Sequence, residues 1–558
     1  MFKLALVGIN ARFSHSNLAI KYLKESVKDI IDVDIYDFTI NDETEKLVRV
    51  LFEKEYTHIG FSVYIWNVNE TYKLINDLKA VSPNIRIILG GPEVSYDGYD
   101  LMDYNENIDY IVTGEGEESF RSLVIDLMAN KYPSSNSVLF RDGESIKGST
   151  QFAIVEDINN IPILYNNEKY INDNKYVYYE ASRGCPFNCA FCLSSTTRGV
   201  RYKDKKIVFR ELDTFLNKNV SLVKFIDRSF NSNPIQLEIL DYIIKKDNGI
   251  TTFHMELHPS LIKKDFLLKL KEARKDLFQF EVGLQTTNIK TAREIDRVGT
   301  YDEIKDVCKK LIDIGAHIHI DLIAGLPYED LNSFSKSFDD LYDIRPDKIQ
   351  LGFLKLLKGS DLRINRLKYD YKYFPKAPYE VISNKWLSYK DILILKTIED
   401  LVEKFYNEGF FAKTLEYLIG VKSKSAWSFF KDFSTFWDNN KFLYKNISRI
   451  ELYNILYDYT SQVFPQNLET ISELLIYDYY KSGNRRSIKF KLVNYNEAIE
   501  PDIIRNLIRT NEVIIETNTI YKSTEILKHS IIERINGKYL MFIHENGLIN
   551  ELELKQEV

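Results

Sequence analysis

Short apolar runs alternate with amphipathic stretches over roughly the first 360 residues of this 558-residue chain. The first series of runs comprises LALVGI (4–9), VDIYDF (33–38), HIGFSVY (58–64), IRIILGG (85–91) and IDYIVTG (108–114). Strands separated by stretches of helical length pair in parallel through right-handed crossovers. The pattern therefore predicts an α/β domain with a doubly wound, five-stranded sheet of the Rossmann-like or flavodoxin-like kind. A small hairpin is expected at 138–147, around Asp142-Gly143.

A second alternating series begins at residue 177. Its apolar runs are VYYEASRG (177–184), VKFIDRSF (223–230), TFHMEL (252–257), FQFEVGLQ (278–285), HIHIDLIAGLP (317–327) and KIQLGFLKLL (348–357). Six strand-helix units of this kind predict a partial (β/α)6 TIM-like barrel, in which function lies at the carboxyl ends of the strands.

The chain is too long for a single hydrophobic core, which indicates several domains. We expect a first domain at 1–148, a linker at 149–175, a partial barrel at 176–384 and a last domain at 385–558. The last domain carries long aromatic-rich helical patterns, such as 393–411 and 447–464, and then strand-like runs. It shows no chemical motif, and we predict a mostly helical α+β domain that packs against or caps the substrate site.

Composition and charge exclude several classes of protein. The chain is 44% hydrophobic and 28% charged, as is usual for globular proteins, and its net charge of −7 gives no global attraction to nucleic acid. No run approaches the ~18 apolar residues of a spanning helix, and the start MFKLALVGINARFSHS is typical of a strand and loop rather than a secretion signal. We expect a cytoplasmic protein with no membrane or nucleic-acid partner.

Three of the four cysteines lie together in RGCPFNCAFC (183–192). Their Cys-x3-Cys-x2-Cys spacing matches neither zinc ribbons nor four-cysteine ferredoxins. In a reducing cytosol such clustering indicates metal or redox chemistry, and three thiolates on a cube of four irons leave one iron open. A structural zinc or an accidental cluster is the alternative. Cys308 stands alone in a helical pattern and is predicted to be a core residue.

This motif resembles the signature of the radical S-adenosylmethionine (SAM) superfamily, which also has an aromatic residue, here Phe191, before the last cysteine. The resemblance implies that Cys185, Cys189 and Cys192 form the catalytic centre and hold a 4Fe-4S cluster. It implies that the amino and carboxylate groups of SAM chelate the fourth iron, and that the reduced cluster cleaves SAM to a 5′-deoxyadenosyl radical. A flavodoxin- or ferredoxin-type protein would then supply the electron.

Five further residues match positions around the bound SAM in related enzymes, namely Asp227, Glu256, Gln285, Arg297 and Asp321. Asp227 stands in IDRSFN, where most members have a Gly-Gly-Glu-like turn that meets the methionyl amino group. The resemblance implies that the carboxylates of Glu256 and Asp321 accept the ribose hydroxyls and that Arg297 pairs with the methionyl carboxylate. For each position, an ordinary polar residue of the surface or core is the alternative.

Small residues follow three strands of the first sheet, and we single out Ser62, Gly90, Gly91, Gly114 and Gly116. The absence of side chains there lets a large ligand lie against the backbone. Together with the radical SAM motif, these loops resemble the cobalamin-binding domain of cobalamin-dependent radical SAM enzymes, in the subgroup with an uncharacterised carboxyl-terminal domain. The resemblance implies cobalamin as a further cofactor, with its nucleotide tail in this sheet.

The first domain departs from related patterns. Corrinoid methyltransferases have an Asp-x-His-x-x-Gly loop, whereas here FSHSNL offers only His15, without the Asp and the Gly. His15 either ligates cobalt or forms a local hydrogen bond, and we predict a cobalamin without a histidine ligand. A flavin or nucleotide is disfavoured because no Gly-x-Gly-x-x-Gly follows the first strand. The tRNA methylthiotransferases are disfavoured because no cysteine precedes Cys185.

The resulting hypothesis is a cobalamin-dependent radical SAM enzyme that methylates an unactivated carbon of an unknown substrate, either a small molecule or a peptide. One alternative is a cobalamin-dependent rearrangement or cyclisation without methyl transfer. Another is a sensor that binds cobalamin or a cluster without turnover.

Overall fold

The computed structural model describes residues 2–166, 168–171, 176–197, 199–484, 503–504, 506–507, 530–535, 537–545 and 548–554. The chain divides into two compact units. The first comprises Met1–Phe334 and Gln350–Tyr389, and the second comprises Ser335–Ile349 and Lys390–Val558.

The first unit begins with a seven-stranded sheet. Its strands are β1 (Leu4–Asn10), β2 (Asp34–Thr39), β3 (His58–Ser62), β4 (Arg86–Gly90), β5 (Tyr110–Val112), β6 (Val138–Asp142) and β7 (Ser145–Gly148). The order is β2-β1-β3-β4-β5-β6-β7, with β1 to β5 parallel and β6 and β7 antiparallel. Its helices are α1 (Leu18–Ser26), α2 (Thr44–Phe52), α3 (Val68–Val81), α4 (Gly98–Tyr104) and α5 (Gly116–Met128).

The predicted doubly wound fold is confirmed, with a sheet of seven strands rather than five. The expected hairpin joins the sheet, since β6 pairs with β5 and covers the N–H and C=O groups of an otherwise open edge. All seven residues of β1 are buried, as expected of a parallel strand covered on both faces.

Asn17 joins the carboxyl ends of two central strands. Its side-chain oxygen caps α1 by accepting from Ile20 N at 3.2 Å, and its Nδ2 donates to Ser62 Oγ at 2.7 Å. A Cβ at Gly8 would lie 2.7 Å from Asn17 Cβ, so glycine is needed for this approach. The end of β3, which carries Ser62, is thereby fixed against β1.

The second sheet of this unit is the predicted partial barrel, and the predicted α/β class is confirmed there too. Its strands are β8 (Val177–Tyr179), β11 (Leu222–Phe225), β12 (Thr252–Leu257), β13 (Phe278–Gln285), β14 (His317–Ala324) and β15 (Lys348–Phe353). Their order is β15-β14-β13-β12-β11-β8, and the pairs from β8 to β14 are parallel. Along β12, β13 and β14 buried apolar residues alternate with polar residues such as Glu256, Glu281 and Asp321, which share one face.

The first predicted strand of the barrel, 177–184, is divided in two. After β8 the chain turns, and β9 (Ser182–Cys185) pairs antiparallel with β10 (Gly199–Tyr202) in a separate two-stranded sheet. The turn arises because the Asp227 carboxylate accepts hydrogen bonds from Ala181 N and Ser182 Oγ.

The other elements of this part of the chain lie between or after the barrel strands in sequence. They are α6 (Lys205–Asn217), α7 (Gln236–Lys245), α8 (Lys264–Leu270), α9 (Ile289–Glu294), α10 (Tyr301–Asp313), α11 (Leu331–Tyr342), α12 (Asp361–Ile364), β16 (Lys372–Tyr373) and β17 (Val381–Ser383). Cys308 is buried in α10, as expected for a core residue.

The second unit contains aromatic-rich helices and a small sheet. They are α13 (Tyr389–Leu401), α14 (Ala412–Tyr417), α15 (Ala426–Asn439), α16 (Arg449–Val463), α17 (Leu468–Lys481), β18 (Ser530–Ile535), β19 (Lys538–Glu545) and β20 (Leu548–Leu554). The predicted mostly helical α+β character is confirmed. The strand-like runs at 487–493 and 512–518 lie outside the described residues.

The helices of the second unit pack through aromatic side chains. Phe433 stacks on Tyr459 with 4.5 Å between ring centroids, and Trp437 is fully buried. The buried Asp478 in α17 accepts from Lys413 N at 3.0 Å and Thr414 N at 2.8 Å, and so satisfies the first turn of α14. Among the residues that the structure describes, none of the helices has the length and apolar character needed to cross a membrane.

Candidate active site

Three cysteines and the carboxyl ends of the barrel strands line a cavity of about 220 Å³. Cys185 ends β9, Cys189 is buried, and Cys192 precedes a short helical turn. Within the described residues, no three His, Cys, Asp or Glu side chains converge closely enough to hold one metal ion. A single tetrahedral zinc requires such convergence, whereas a cluster spreads its thiolate ligands over several metal atoms.

Burial and one arginine act in opposite directions on the pKa of two of these thiols, Cys185 and Cys189. Burial raises the pKa of Cys185 and Cys189, and Arg297 opposes that rise. Arg297 Nη1 lies 3.8 Å from Cys189 Sγ, which is within hydrogen-bond distance for sulfur. Iron binds thiolates, so loading a cluster here would release protons, and Arg297 would stabilise the negative charge of the loaded site.

Gly184 allows the tight hairpin that presents Cys185. Its φ is +105°, and a Cβ there would lie 2.2 Å from Gly199 O. Only glycine fits this position, because β9 and β10 approach each other closely at the point where the strand delivers its cysteine.

Eight of the nine residues predicted for the cluster and SAM line this one cavity. They are Cys185, Cys189, Cys192, Phe191, Glu256, Gln285, Arg297 and Asp321. Asp227 is the exception, because it is fully buried and bonded to Ala181 and Ser182, and burial raises its pKa to about 7. Its carboxylate holds the turn between β8 and β9 and does not line the cavity, whereas the sequence predicted it among the SAM-binding residues.

Gln285 and Arg297 sit side by side over Gly283. Gln285 has a φ of +72°, at a register shift between β13 and β14, and Arg297 Nη2 donates to Gly283 O. In the described part of the chain, Gln285 Oε1 and Arg297 Nε are buried without hydrogen-bond partners. Buried polar atoms are almost always paired, so these two fit a polar ligand such as the methionyl group of SAM.

Three carboxylates share the other side of the cavity. Burial raises the pKa of Glu256 to about 6, and burial together with Glu281 and Glu256 raises that of Asp321 well above its ordinary value. Gln350 Nε2 donates to Asp321 Oδ1 at 2.9 Å, and Arg228 Nη1 lies 3.8 Å from Glu256 Oε1. The crowded negative charge favours a ligand that carries positive charge and hydroxyl groups.

Sequence reasoning missed three residues that line this cavity, Arg228, Glu281 and His258. His258 stacks on Phe187 with 3.6 Å between ring centroids, and burial lowers its pKa to about 3. Glu281 stands directly opposite Glu256 in the register of β12 and β13. The alternation of polar residues along these strands was the available signal for Glu281.

A second cavity, of about 280 Å³, lies at the carboxyl ends of β3, β4 and β5. All five small residues predicted for cobalamin line it, namely Ser62, Gly90, Gly91, Gly114 and Gly116. Part of its wall is apolar and includes Leu6, Leu18, Ile20, Leu89, Val112 and Phe120. Another part is polar and includes Tyr64, Glu115, Glu117, Glu180 and Arg183. A ligand with a bulky apolar body and a polar rim fits a cavity whose wall is apolar on one part and polar on another.

Two of these glycines are required by the packing of their own loops against neighbouring backbone. A Cβ at Gly91 would lie 2.5 Å from Val63 O, and a Cβ at Gly114 would lie 2.4 Å from Ala153 N. Both have positive φ, so their loops pack against other backbone as well as facing the cavity. His15 does not line the cavity, and its Nδ1 lies 3.1 Å from Tyr178 OH, a partner 163 residues along the chain rather than the local one that we expected.

Strand β9 contributes a lining residue to each cavity. Arg183 lines the larger cavity, and Cys185, two residues further along the same strand, lines the smaller one. Two residues of a strand span about 7 Å, so ligands in the two cavities would lie next to each other.

Three known family models match successive segments of the chain. Residues 4–124 match the B12 binding domain, and residues 179–341 match the radical SAM superfamily. A B12 domain followed by a radical SAM domain defines the cobalamin-dependent radical SAM enzymes, and the chain belongs to this family. Its cofactors are those of the family, namely the radical SAM cluster, SAM and cobalamin. Within the family it carries a third domain, since residues 367–553 match a protein of unknown function (DUF4080).

Individual relatives are distant and differ in activity. The chain is 23% identical over 322 residues to the uncharacterized methyltransferase PH0819 of Pyrococcus horikoshii, covering 56% of this chain and 70% of the relative. It is 26% identical over 229 residues to the anaerobic magnesium-protoporphyrin IX monomethyl ester cyclase of Synechocystis sp., covering 38% of this chain and 44% of the relative.

Among solved structures, the cobalamin-dependent SAM radical enzyme OxsB with aqua-cobalamin bound has the same fold. The TM-score is 0.60 at 13% identity, and the match covers 86% of this chain and 80% of that chain.

Proposed function

We propose that this enzyme transfers a methyl group to an unactivated carbon of its substrate. The observation that carries the proposal is the placement of Arg183 and Cys185 on one strand, with one residue in each cavity. When bound, the cluster and SAM supply a radical that removes a hydrogen atom, and cobalamin supplies a methyl group. Adjacent cavities allow one substrate carbon to meet both.

The side chains of the smaller cavity would bind and orient the cofactors. Cys185, Cys189 and Cys192 would hold the cluster through three irons and leave the fourth to SAM. Arg297 and Gln285 would pair with the methionyl group, because both carry an unpaired polar atom in this cavity and Arg297 Nη1 lies 3.8 Å from Cys189 Sγ. The carboxylates across the cavity would accept the ribose hydroxyls.

A second candidate is a radical cyclisation or rearrangement without methyl transfer, and the similarity to the cyclase favours it. For either reaction we propose a flavodoxin- or ferredoxin-type electron donor and a small-molecule or peptide substrate. We also propose a cytoplasmic location, since three free thiols at a redox centre require a reducing compartment.

The two candidates can be separated without knowing the substrate. The chain is purified without oxygen, reconstituted with iron, sulfide and hydroxocobalamin, and incubated with SAM and a strong reductant. Both reactions require about four irons per chain and the production of 5′-deoxyadenosine. Only a methyltransferase must recharge its cobalamin from SAM, so only methyl transfer yields S-adenosylhomocysteine as well.

Cys189→Ala should abolish 5′-deoxyadenosine, whereas Cys308→Ala, a substitution in the core of α10, should not. If the wild-type enzyme makes 5′-deoxyadenosine but no S-adenosylhomocysteine, the cyclisation or rearrangement is favoured. If it makes neither while fully loaded, the sensor hypothesis replaces both.

A further inference from the structure

Five charged residues form an ion cluster beside the larger cavity, and we call it the Arg183 cluster. Arg183 Nη2 lies 2.8 Å from Glu117 Oε1 and 2.8 Å from Glu180 Oε2, and Arg183 Nη1 lies 3.2 Å from Glu115 Oε2. Arg201 Nη2 lies 2.7 Å from Glu115 Oε1. The five side chains are only 9% to 17% exposed. All of them except Arg201 line the cavity.

The cluster joins two parts of the first unit. Glu115 and Glu117 lie at the start of α5, in the B12 domain, and Glu180 follows β8 of the barrel. Arg183 and Arg201 face each other across β9 and β10, the hairpin that delivers Cys185. The position of the cluster therefore depends on the strand that carries the first cysteine.

For two of these residues, Arg183 and Glu115, the ion pairs act on the pKa against the effect of burial. Burial alone would lower the pKa of Arg183, but Glu180 and Glu117 raise it well above its ordinary value. Burial alone would raise the pKa of Glu115, but Arg201 and Arg183 hold it below its ordinary value. The cluster has three carboxylates and two guanidinium groups, so it places excess negative charge and several hydrogen-bond acceptors along a cavity that is otherwise largely apolar.

The corrin ring of cobalamin matches this wall chemically. Primary amides surround its rim, and each can donate two N–H groups and accept at its oxygen. Carboxylates accept from amide nitrogen, whereas the N–H groups of Arg183 are already directed at the carboxylates of Glu115, Glu117 and Glu180. Elsewhere in the cavity, the apolar residues offer few such partners.

We propose that the Arg183 cluster binds the amide side chains of the corrin ring and thereby fixes the ring relative to the strand of Cys185. The carboxylates of the cluster are the cofactor-binding groups, Arg183 is the residue that positions them, and Arg201 acts only through Glu115. The proposal rests on cobalamin as a cofactor and does not depend on methyl transfer.

Corrinoid titrations of the full chain, carrying its iron-sulfur cluster, test the proposal. The probes are hydroxocobalamin and cobinamide, which keeps the ring amides and lacks the nucleotide tail. For Arg183→Gln, we expect the affinity for both probes to fall roughly 10- to 100-fold, because the carboxylates that accept from the corrin amides lose the arginine that positions them. Iron content should stay at the wild-type value, whereas the melting temperature should fall, because three buried carboxylates lose their shared counter-ion. Arg201→Gln should change either affinity by less than about threefold, because Arg201 does not line the cavity.

Arg121→Gln is the matched surface control, since Arg121 pairs with Asp29 in the same domain and does not line the cavity. Wild-type affinity in Arg183→Gln would overturn the proposal. Loss of iron together with corrinoid would also overturn it, because the cluster would then be a structural link between domains.

If Arg183→Gln does not fold, Arg183→Lys decides the question. Lysine keeps the positive charge and loses the fork, so we expect at least about fivefold weaker binding with iron intact, and wild-type affinity would refute the proposal. A wild-type enzyme that binds cobalamin but makes no S-adenosylhomocysteine would refute methyl transfer and leave this proposal standing.

Discussion

Replacing Gly283 with alanine should weaken SAM binding without unfolding the barrel. A Cβ at Gly283 would lie 2.3 Å from Gln285 Nε2 and 3.1 Å from Arg297 Nη2. The φ of Gly283 is outside the left-handed region, so the backbone accepts alanine without strain. The new methyl group therefore acts on the two side chains that carry unpaired polar atoms in the smaller cavity.

The size of the effect follows from how far these side chains must move. The Gln285 amide has to shift by about 1 Å to restore a contact of 3.4 Å, and such a shift breaks a well-aligned hydrogen bond. A hydrogen bond to a charged group contributes about 1.5–3 kcal/mol, so SAM affinity should fall roughly 10- to 100-fold. Stability should change by only about 1 kcal/mol, because the displaced atoms are the ends of flexible side chains.

Calorimetric titration of the reconstituted enzyme with SAM, without oxygen, measures this loss. Gly352→Ala is the matched control, because it is the same substitution on β15 and its Cβ would meet Leu322 O at an ordinary 3.6 Å. Iron content and melting temperature are measured for both variants. Wild-type SAM affinity in Gly283→Ala, with full iron, would show that Gln285 and Arg297 do not hold SAM.

Three more substitutions probe other parts of the chain. Cys189→Ala should lose the cluster and SAM cleavage but keep cobalamin affinity within about threefold, since none of the described cysteines lines the larger cavity. Loss of both iron and corrinoid binding in this variant would contradict the prediction. Because burial raises the pKa of Asp227 to about 7, the folded chain keeps a proton that the unfolded chain releases above pH ~4. The contribution of Asp227 to the free energy of unfolding therefore falls by about 2–3 kcal/mol from pH 5 to pH 8. Over the same pH range, Asp227→Asn should gain that much stability relative to wild type in urea unfolding. A difference between the two proteins that does not change with pH would refute the raised pKa. Asp478→Ala should destabilise the second unit by about 2–4 kcal/mol, because Lys413 N and Thr414 N lose their acceptor; an unchanged melting temperature would contradict this.

Much of the fold could be predicted because local patterns repeat along the chain. The runs at 252–257 and 278–285 coincide with β12 and β13, since period-2 alternation and flanking turns are local signals. The break between β8 and β9 could not be predicted in this way. It depends on the hydrogen bond between Asp227 and Ala181, which are 46 residues apart.

The candidate site was predictable to a different extent in each cavity. The Cys-x3-Cys-x2-Cys spacing is itself typical of a cluster site, so the three predicted cluster residues can be named from the sequence alone. Arg183 stands in the same motif, but its role depends on Glu115 and Glu117, and the hydrogen bonds to Glu117 span 66 residues. Glu281 faces the site because the pairing of β12 with β13 places it directly opposite Glu256. Contacts of this kind arise from tertiary pairing, which spacing does not encode.

The glycines of the larger cavity show how one residue type serves two purposes. Alanine at Gly91 would clash with the backbone of Val63 and strain a positive φ, so a loss of cobalamin there would report damage to the loop. A Cβ at Gly90 would instead meet Val112 O at an ordinary 3.7 Å, and its φ is not left-handed. Gly90→Ala should therefore leave the melting temperature unchanged and weaken hydroxocobalamin binding in a titration, because the methyl group enters space that the ligand needs. Wild-type affinity would mean that the corrinoid does not lie against the end of β4.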